Sequence, residues 1–119
     1  MTASHSDPPP LKIRRLEPKV YDATTRISLV SSFLASLFLG RIAPIEVADA
    51  SGMNLMDIVS CKWDKRLLEI CGGDTLQSKL GPQPVLGGST LGTVGDWWVK
   101  KWGFHPGGYP TIRFLFPCL

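Results

Sequence analysis

The sequence predicts an α+β fold that is mostly helical, and three observations carry that reading. The stretch Arg26–Leu39 has apolar residues at helical spacing over fourteen positions. The run Asn54–Val59 is short and apolar enough for a single strand, and it is followed by a helix-start signal at Asp64. Glycine and proline at Gly40, Gly72-Gly73, Gly81-Pro82 and Gly103 cut the rest into short elements.

At 119 residues the chain has room for one small domain. Hydrophobic residues at 44% and charged residues at 19% place it among globular proteins, not disordered chains or coiled coils. The net charge of +3 comes from thirteen basic residues spread along the chain, clustered only briefly at Lys12–Arg15, Lys65–Arg66 and Lys100–Lys101. A nucleic-acid binder concentrates such charge on one face, so no nucleic-acid partner is expected. The three cysteines, Cys61, Cys71 and Cys118, form no metal-type pair. An odd count without a secretory pattern points to reduced thiols and a cytoplasmic location. Cys61 and Cys71 read as small buried apolar side chains. Cys118 is second from the end and not a prenylation site.

Met1–Pro10 is mostly small and polar and ends in three prolines, so residues 1–10 read as a disordered lead. Leu11–Leu16 starts a short helix that Pro18 interrupts. In Arg26–Leu39 the residues Ile27, Val30, Phe33, Leu34, Leu37 and Phe38 form a wide apolar face, and Ser28, Ser31, Ser32, Ala35 and Ser36 form the other. Small residues admit a close neighbour, so the helix is expected to be buried on two sides, with Gly40 as its left-handed stop. The uncharged run Ile27–Gly40 is fourteen residues, where a membrane span needs about twenty; no membrane association is expected. Asp49-Ala50-Ser51-Gly52 reads as a turn, followed by the strand. Asp64 caps a helix over Lys65–Cys71 that Gly72-Gly73 ends, and Asp74 caps a short one before Gly81-Pro82. Pro82–Gly92 reads as loop, and Thr93–Trp102 as a helix closed by Gly103.

The candidate chemistry is thin. Gly87-Gly88-Ser89-Thr90-Leu91-Gly92 precedes the last predicted helix, where phosphate can bind, but it has neither the lysine nor the spacing of a phosphate loop. His5 falls in the lead and His105 beside Pro106 in a turn, with no nucleophile tied to either. Glu46, Asp49 and Asp57 are near one another in sequence, and paired acids can do acid–base work. Asp49 with Ser51 and Gly52 is better read as a structural turn. Trp97, Trp98 and Trp102 at helical spacing read as core. No residue qualifies as catalytic or metal-ligating.

Two stretches resemble the xylulokinase branch of the FGGY carbohydrate kinases. They are RISLVSSFLASLFLG (Arg26–Gly40) and APIEVADASGMNLMDI (Ala43–Ile58), the second followed by Trp63-Asp64 and Leu67-Leu68-Glu69. Lys79-Leu80-Gly81-Pro82 and WWVKKWGF (Trp97–Phe104) extend the likeness, which runs from about Val20 to Pro106. The resemblance implies an actin-like, ribonuclease-H-type ATPase fold, in which this chain is a mostly helical piece of the N-terminal, sugar-binding domain. Residues 11–107 would be that partial domain and residues 108–119 a divergent apolar tail. The implied reaction is ATP-dependent phosphorylation of D-xylulose to D-xylulose 5-phosphate with magnesium, and pentulose and ATP are the implied partners. Asp49, Ser51 and Gly52 would lie near the sugar site. The family's Gly-Asp-Asn segment with its catalytic aspartate, its upstream phosphate hairpin and its adenine-holding domain have no counterpart in these residues. The chain is therefore expected to be a truncated internal fragment that neither binds ATP and magnesium nor turns over alone. The alternative is a non-enzymatic product that binds a partner, the full-length kinase or itself through exposed apolar faces.

Overall fold

The computed structural model describes residues 8–105 and the backbone of residues 111–113. Residues 1–7 of the expected lead lie outside the described residues, but Pro9 and Pro10 do not belong to a lead. They open helix α1 (Pro9–Leu16), and Pro10 is buried. Proline suits the first helical turn because its fixed φ is already helical and its absent N–H has no partner there anyway. Pro18 ends α1 as expected and starts α2 (Pro18–Ala23) in the same role. Arg14 and Arg15 sit in the last turn of α1, where the helix dipole favours cations.

The principal core gathers Ile45, Val47, Ala50, Leu55, Met56, Trp63, Leu68, Cys71, Leu76 and Leu80. Ile45, Leu55, Leu76 and Leu80 are wholly inaccessible, and each buried aliphatic of this kind stabilises by roughly 1.5–3 kcal/mol. These residues come from α4 (Val47–Gly52), the hairpin β1 (Met56–Asp57) and β2 (Lys62–Trp63), α5 (Lys65–Gly72) and α6 (Leu76–Leu80). The predicted strand Asn54–Val59 shortens to β1, which pairs antiparallel with β2 in the register Met56 to Trp63. Trp63 is locked at both ends: its Nε1 donates to Pro82 O at 2.8 Å and its backbone N–H to Gln83 Oε1 at 2.8 Å. Asp64 caps α5 as predicted, accepting from Leu67 N at 3.1 Å, and Gly73 follows at φ 67°. The next helix also forms, through a 3₁₀ turn at Gly73–Thr75, but no side chain caps it, so Asp74 does not have the expected role.

The β1–β2 connection exposes Ile58 and Val59 and holds Cys61 at φ 54°. Cys61 is therefore a half-exposed turn residue, contrary to the buried reading, whereas Cys71 is buried in the core. The turn is built on Asp57. Its carboxylate accepts from Ser60 Oγ at 2.6 Å, Val59 N at 3.0 Å and Ser60 N at 3.3 Å. The Ser60 hydroxyl first, then the Val59 amide, hold the Asp57 carboxyl below the usual aspartate range. Because the folded value lies below the unfolded one, the contribution is fully present above the ordinary aspartate pKa. It is lost as pH falls through the lowered value. A pH titration followed at the Asp57 carboxyl carbon by NMR is expected to show a depressed midpoint that moves up in Ser60→Ala.

A second, smaller core joins α3 (Val30–Leu39) to the segment after it: Ala35, Leu39 and Ala43, with Val85 and Leu91 against them. Here the structure corrects the sequence reading twice. The helix starts at Val30, not Arg26, because Ile27 N–H donates to Lys79 O at 2.8 Å and holds the chain extended against α6. Its covered side is the small one: Ser32, Ala35 and Leu39 are buried. The apolar side is open, with Val30 84%, Phe33 58%, Leu34 53% and Leu37 48% exposed. Gly40 ends the helix in the left-handed region at φ 69°. Beside it Gly95 N–H donates to Phe38 O at 2.7 Å. A Cβ on Gly95 would sit 3.0 Å from Leu39 O, so this close approach requires glycine.

The stretch predicted as loop bridges back to the core, where Val85 pairs with Glu46 in a parallel bridge. It then becomes strand β3 (Thr90–Thr93), paired antiparallel with β4 (Thr111–Arg113) and bulged between Thr90 and Gly92. Of the expected apolar tail, β4 is the part within the described residues. Helix α7 runs Asp96–Trp102, three residues shorter at its start than predicted because β3 takes Thr93, and Gly103 closes it at φ 69°.

Candidate functional site

The expected turn at Asp49–Gly52 is a helix. α4 forms because Glu46, one residue ahead of it, caps it: Glu46 Oε2 accepts from Ala48 N at 2.8 Å and Asp49 N at 3.3 Å. Capping satisfies amide groups that a helix start otherwise leaves orphaned. Asp49 therefore does not bond its own turn. Its carboxylate accepts from the Ser31 hydroxyl at the start of α3, which ties α4 to α3. Ser51 Oγ donates back to Ala48 O at 2.7 Å, and Gly52 ends the helix.

These residues border a cleft of about 500 Å³ between α1–α2 and α4. Its wall is largely apolar, from Pro9, Ile13, Ile27, Leu29 and Met53, with Asp49, Thr24 and Ser28 as polar points. Below it lies a locked polar cluster that the sequence did not reveal. Lys79 is buried, donates to Thr24 O at 2.6 Å, and places its ammonium 4.9 Å from the centre of the Tyr21 ring. Tyr21 donates in turn to Gly72 O at 2.9 Å. A lysine so used is an anchor for the α2–α3 connection, and its charge is stabilised by the ring face.

A wider groove, about 950 Å³, opens between the end of α3 and the β3–α7 junction. Leu37, Leu39, Gly40 and Arg41 line one side, and Gly92–Trp98 the other. Of the predicted tryptophan core only Trp98 packs in. It stacks on Phe38 with ring centres 4.7 Å apart and donates Nε1–H to Leu37 O at 2.8 Å. Trp97 and Trp102 are exposed, a correction that follows from α7 lying on the outer edge of α3.

Among the described residues, the loop and the acids weighed for phosphate or metal have other placements. Gly87–Gly92 leads into β3 and not into a helix, so no amide-lined helix start faces that loop. Glu46 Oε2 serves the α4 cap, while its buried Oε1 has no hydrogen-bond partner, and Asp49 accepts from Ser31. Among the described residues no three His, Cys, Asp or Glu side chains cluster as a metal would need. His105 is exposed, while His5 and Cys118 lie outside the described residues. Among those residues no helix is long and apolar enough to cross a membrane.

No protein-family model matches this chain. Curated relatives do. It is 47% identical over 100 residues to D-xylulose kinase A of Aspergillus niger, which covers 81% of this chain and 18% of that protein. The probable D-xylulose kinases A of Aspergillus terreus and Arthroderma otae are 49% and 46% identical over the same length, again at 81% and 18% coverage. The chain thus spans less than a fifth of the length of the curated relatives it matches.

Proposed function

We infer the role of this chain from its family: it belongs to the xylulokinases and corresponds to one segment of the kinase polypeptide. On that premise we propose that it forms part of the sugar-side domain of an actin-like kinase that transfers the terminal phosphoryl group of ATP to D-xylulose. The product is D-xylulose 5-phosphate, the setting cytoplasmic. The observation that carries the reading is identity near one half, sustained over four-fifths of the chain, to proteins named for that activity.

The segment's own contribution is positional. The Glu46 cap holds the start of α4, and the tie from Ser31 to Asp49 fixes α4 to α3 at the border of the 500 Å³ cleft. Phosphoryl transfer depends on positioning and charge stabilisation at the phosphates. In this reading the groups that hold ATP and magnesium belong to the rest of the full-length kinase, and Asp49 is structural. The test is genetic. The matched residues of the Aspergillus niger kinase are replaced by those of this chain, and a xylulokinase-deficient host carrying the graft is grown on D-xylulose. Growth is expected. Its failure with the graft present at normal protein level would overturn the reading.

A further inference from the structure

The outer face of α3 lies apart from the cleft that Asp49 borders, and among the described residues it is a conspicuously apolar surface. Val30, Phe33, Leu34 and Leu37 stand at i, i+3, i+4 and i+7, all about half open or more, on a helix without one charged residue. The 950 Å³ groove continues the patch from Leu37 to the exposed ring of Trp97 on α7. Helix-in-groove contacts use that spacing, and large apolar patches of this kind mark interaction surfaces.

We propose that this face seats the remaining polypeptide of the same kinase, through an uncharged apolar helix or sheet face; the proposal rests on the xylulokinase reading. Two observations select that occupant over a second copy of the chain. The relatives have more than four-fifths of their length outside the matched segment, so cognate surface is available. The area points the same way. Aromatic side chains present about 150–250 Å² when fully buried, so Val30, Phe33, Leu34, Leu37 and Trp97, whose exposed fractions add to about three whole side chains, offer at most roughly 450–750 Å². A stable interface between separate molecules needs about 800 Å² from each. A covalently continuous neighbour needs less, because it loses no translational freedom on docking.

The experiment uses the Aspergillus niger kinase graft and the isolated 119-residue chain, each with and without Phe33→Lys, Leu34→Lys and Leu37→Lys together. Lysine keeps helix propensity. In the isolated chain, where these positions face water, the far-ultraviolet circular dichroism is expected to be unchanged. In the graft the melting temperature is expected to fall by about 10 °C or more. Equal melting of the substituted and unsubstituted grafts would overturn the proposal, as would an unsubstituted graft that does not fold cooperatively. A discrete dimer of the isolated chain in sedimentation, abolished by the three lysines, would assign the face to a second copy instead. A graft that folds and melts as expected but does not phosphorylate D-xylulose would defeat the kinase reading and leave the docking result intact.

Discussion

The isolated 119-residue chain, incubated with saturating magnesium-ATP, is expected to release ADP at the same background rate with and without D-xylulose. The absence of a positioned base alone costs about 10²–10⁴ in rate. Phosphoryl transfer further requires magnesium and a cradle for the phosphates, and among the described residues no three His, Cys, Asp or Glu side chains gather at one place. Asp49 lines the 500 Å³ cleft, but its carboxylate is engaged by Ser31. A xylulose-dependent rate that disappears in Asp49→Asn would overturn both the inactivity and the structural assignment of Asp49. A rate unchanged by that substitution would overturn the inactivity alone.

The second large effect concerns folding. Gly72→Ala is expected to destabilise the chain by about 2–6 kcal/mol, combining overpacking with an unpaired buried hydroxyl. Gly72 ends α5 where α2 and α6 meet. A Cβ there would lie 2.4 Å from Leu76 Cβ and 2.5 Å from the Tyr21 hydroxyl oxygen. Neither neighbour is a flexible tip: Leu76 is wholly buried, and the Tyr21 hydroxyl is bonded to the Gly72 carbonyl itself. Since small domains are stable by only about 5–15 kcal/mol, this one methyl group removes a large share of the stability. Tyr21→Phe is the control, because it removes the hydrogen bond without adding volume, and about 1 kcal/mol is expected. Urea unfolding followed by Trp63 fluorescence measures both. Equal midpoints for Gly72→Ala and the unsubstituted chain would show that the α2–α5–α6 junction is looser than described.

What the sequence disclosed was local. Asp64, Gly40, Gly73 and Gly103 act through neighbours within one turn, and each occupies the role its type and position indicate. The family was legible because its residues run in unbroken stretches such as DASGMNLMDI. What depended on distant partners was not. Glutamate is not a preferred cap, so α4 was hidden behind turn-forming residues that Glu46 overrides. The start of α3 is set by the bond from Ile27 to Lys79, far along the chain, and β3 exists through pairing with β4. The helical wheel of α3 predicted burial on two sides, whereas only the side of Ser32, Ala35 and Leu39 is covered. The burial of Ala35 and Leu39 follows from Ala43, Val85 and Leu91 packing on that side. The exposed Trp97 and Trp102 belong to the same reversal, since α7 docks on that helix from outside.

The central claim is that these residues serve as a working segment of a xylulokinase. The most direct measurement is D-xylulose-dependent ADP release by the purified Aspergillus niger kinase in which the matched 100 residues are replaced by those of this chain. The account predicts turnover within about tenfold of the parent enzyme, a smaller change than the roughly 10²–10⁴ that losing one positioned catalytic group costs. A graft that folds cooperatively but shows no dependence on D-xylulose would contradict it.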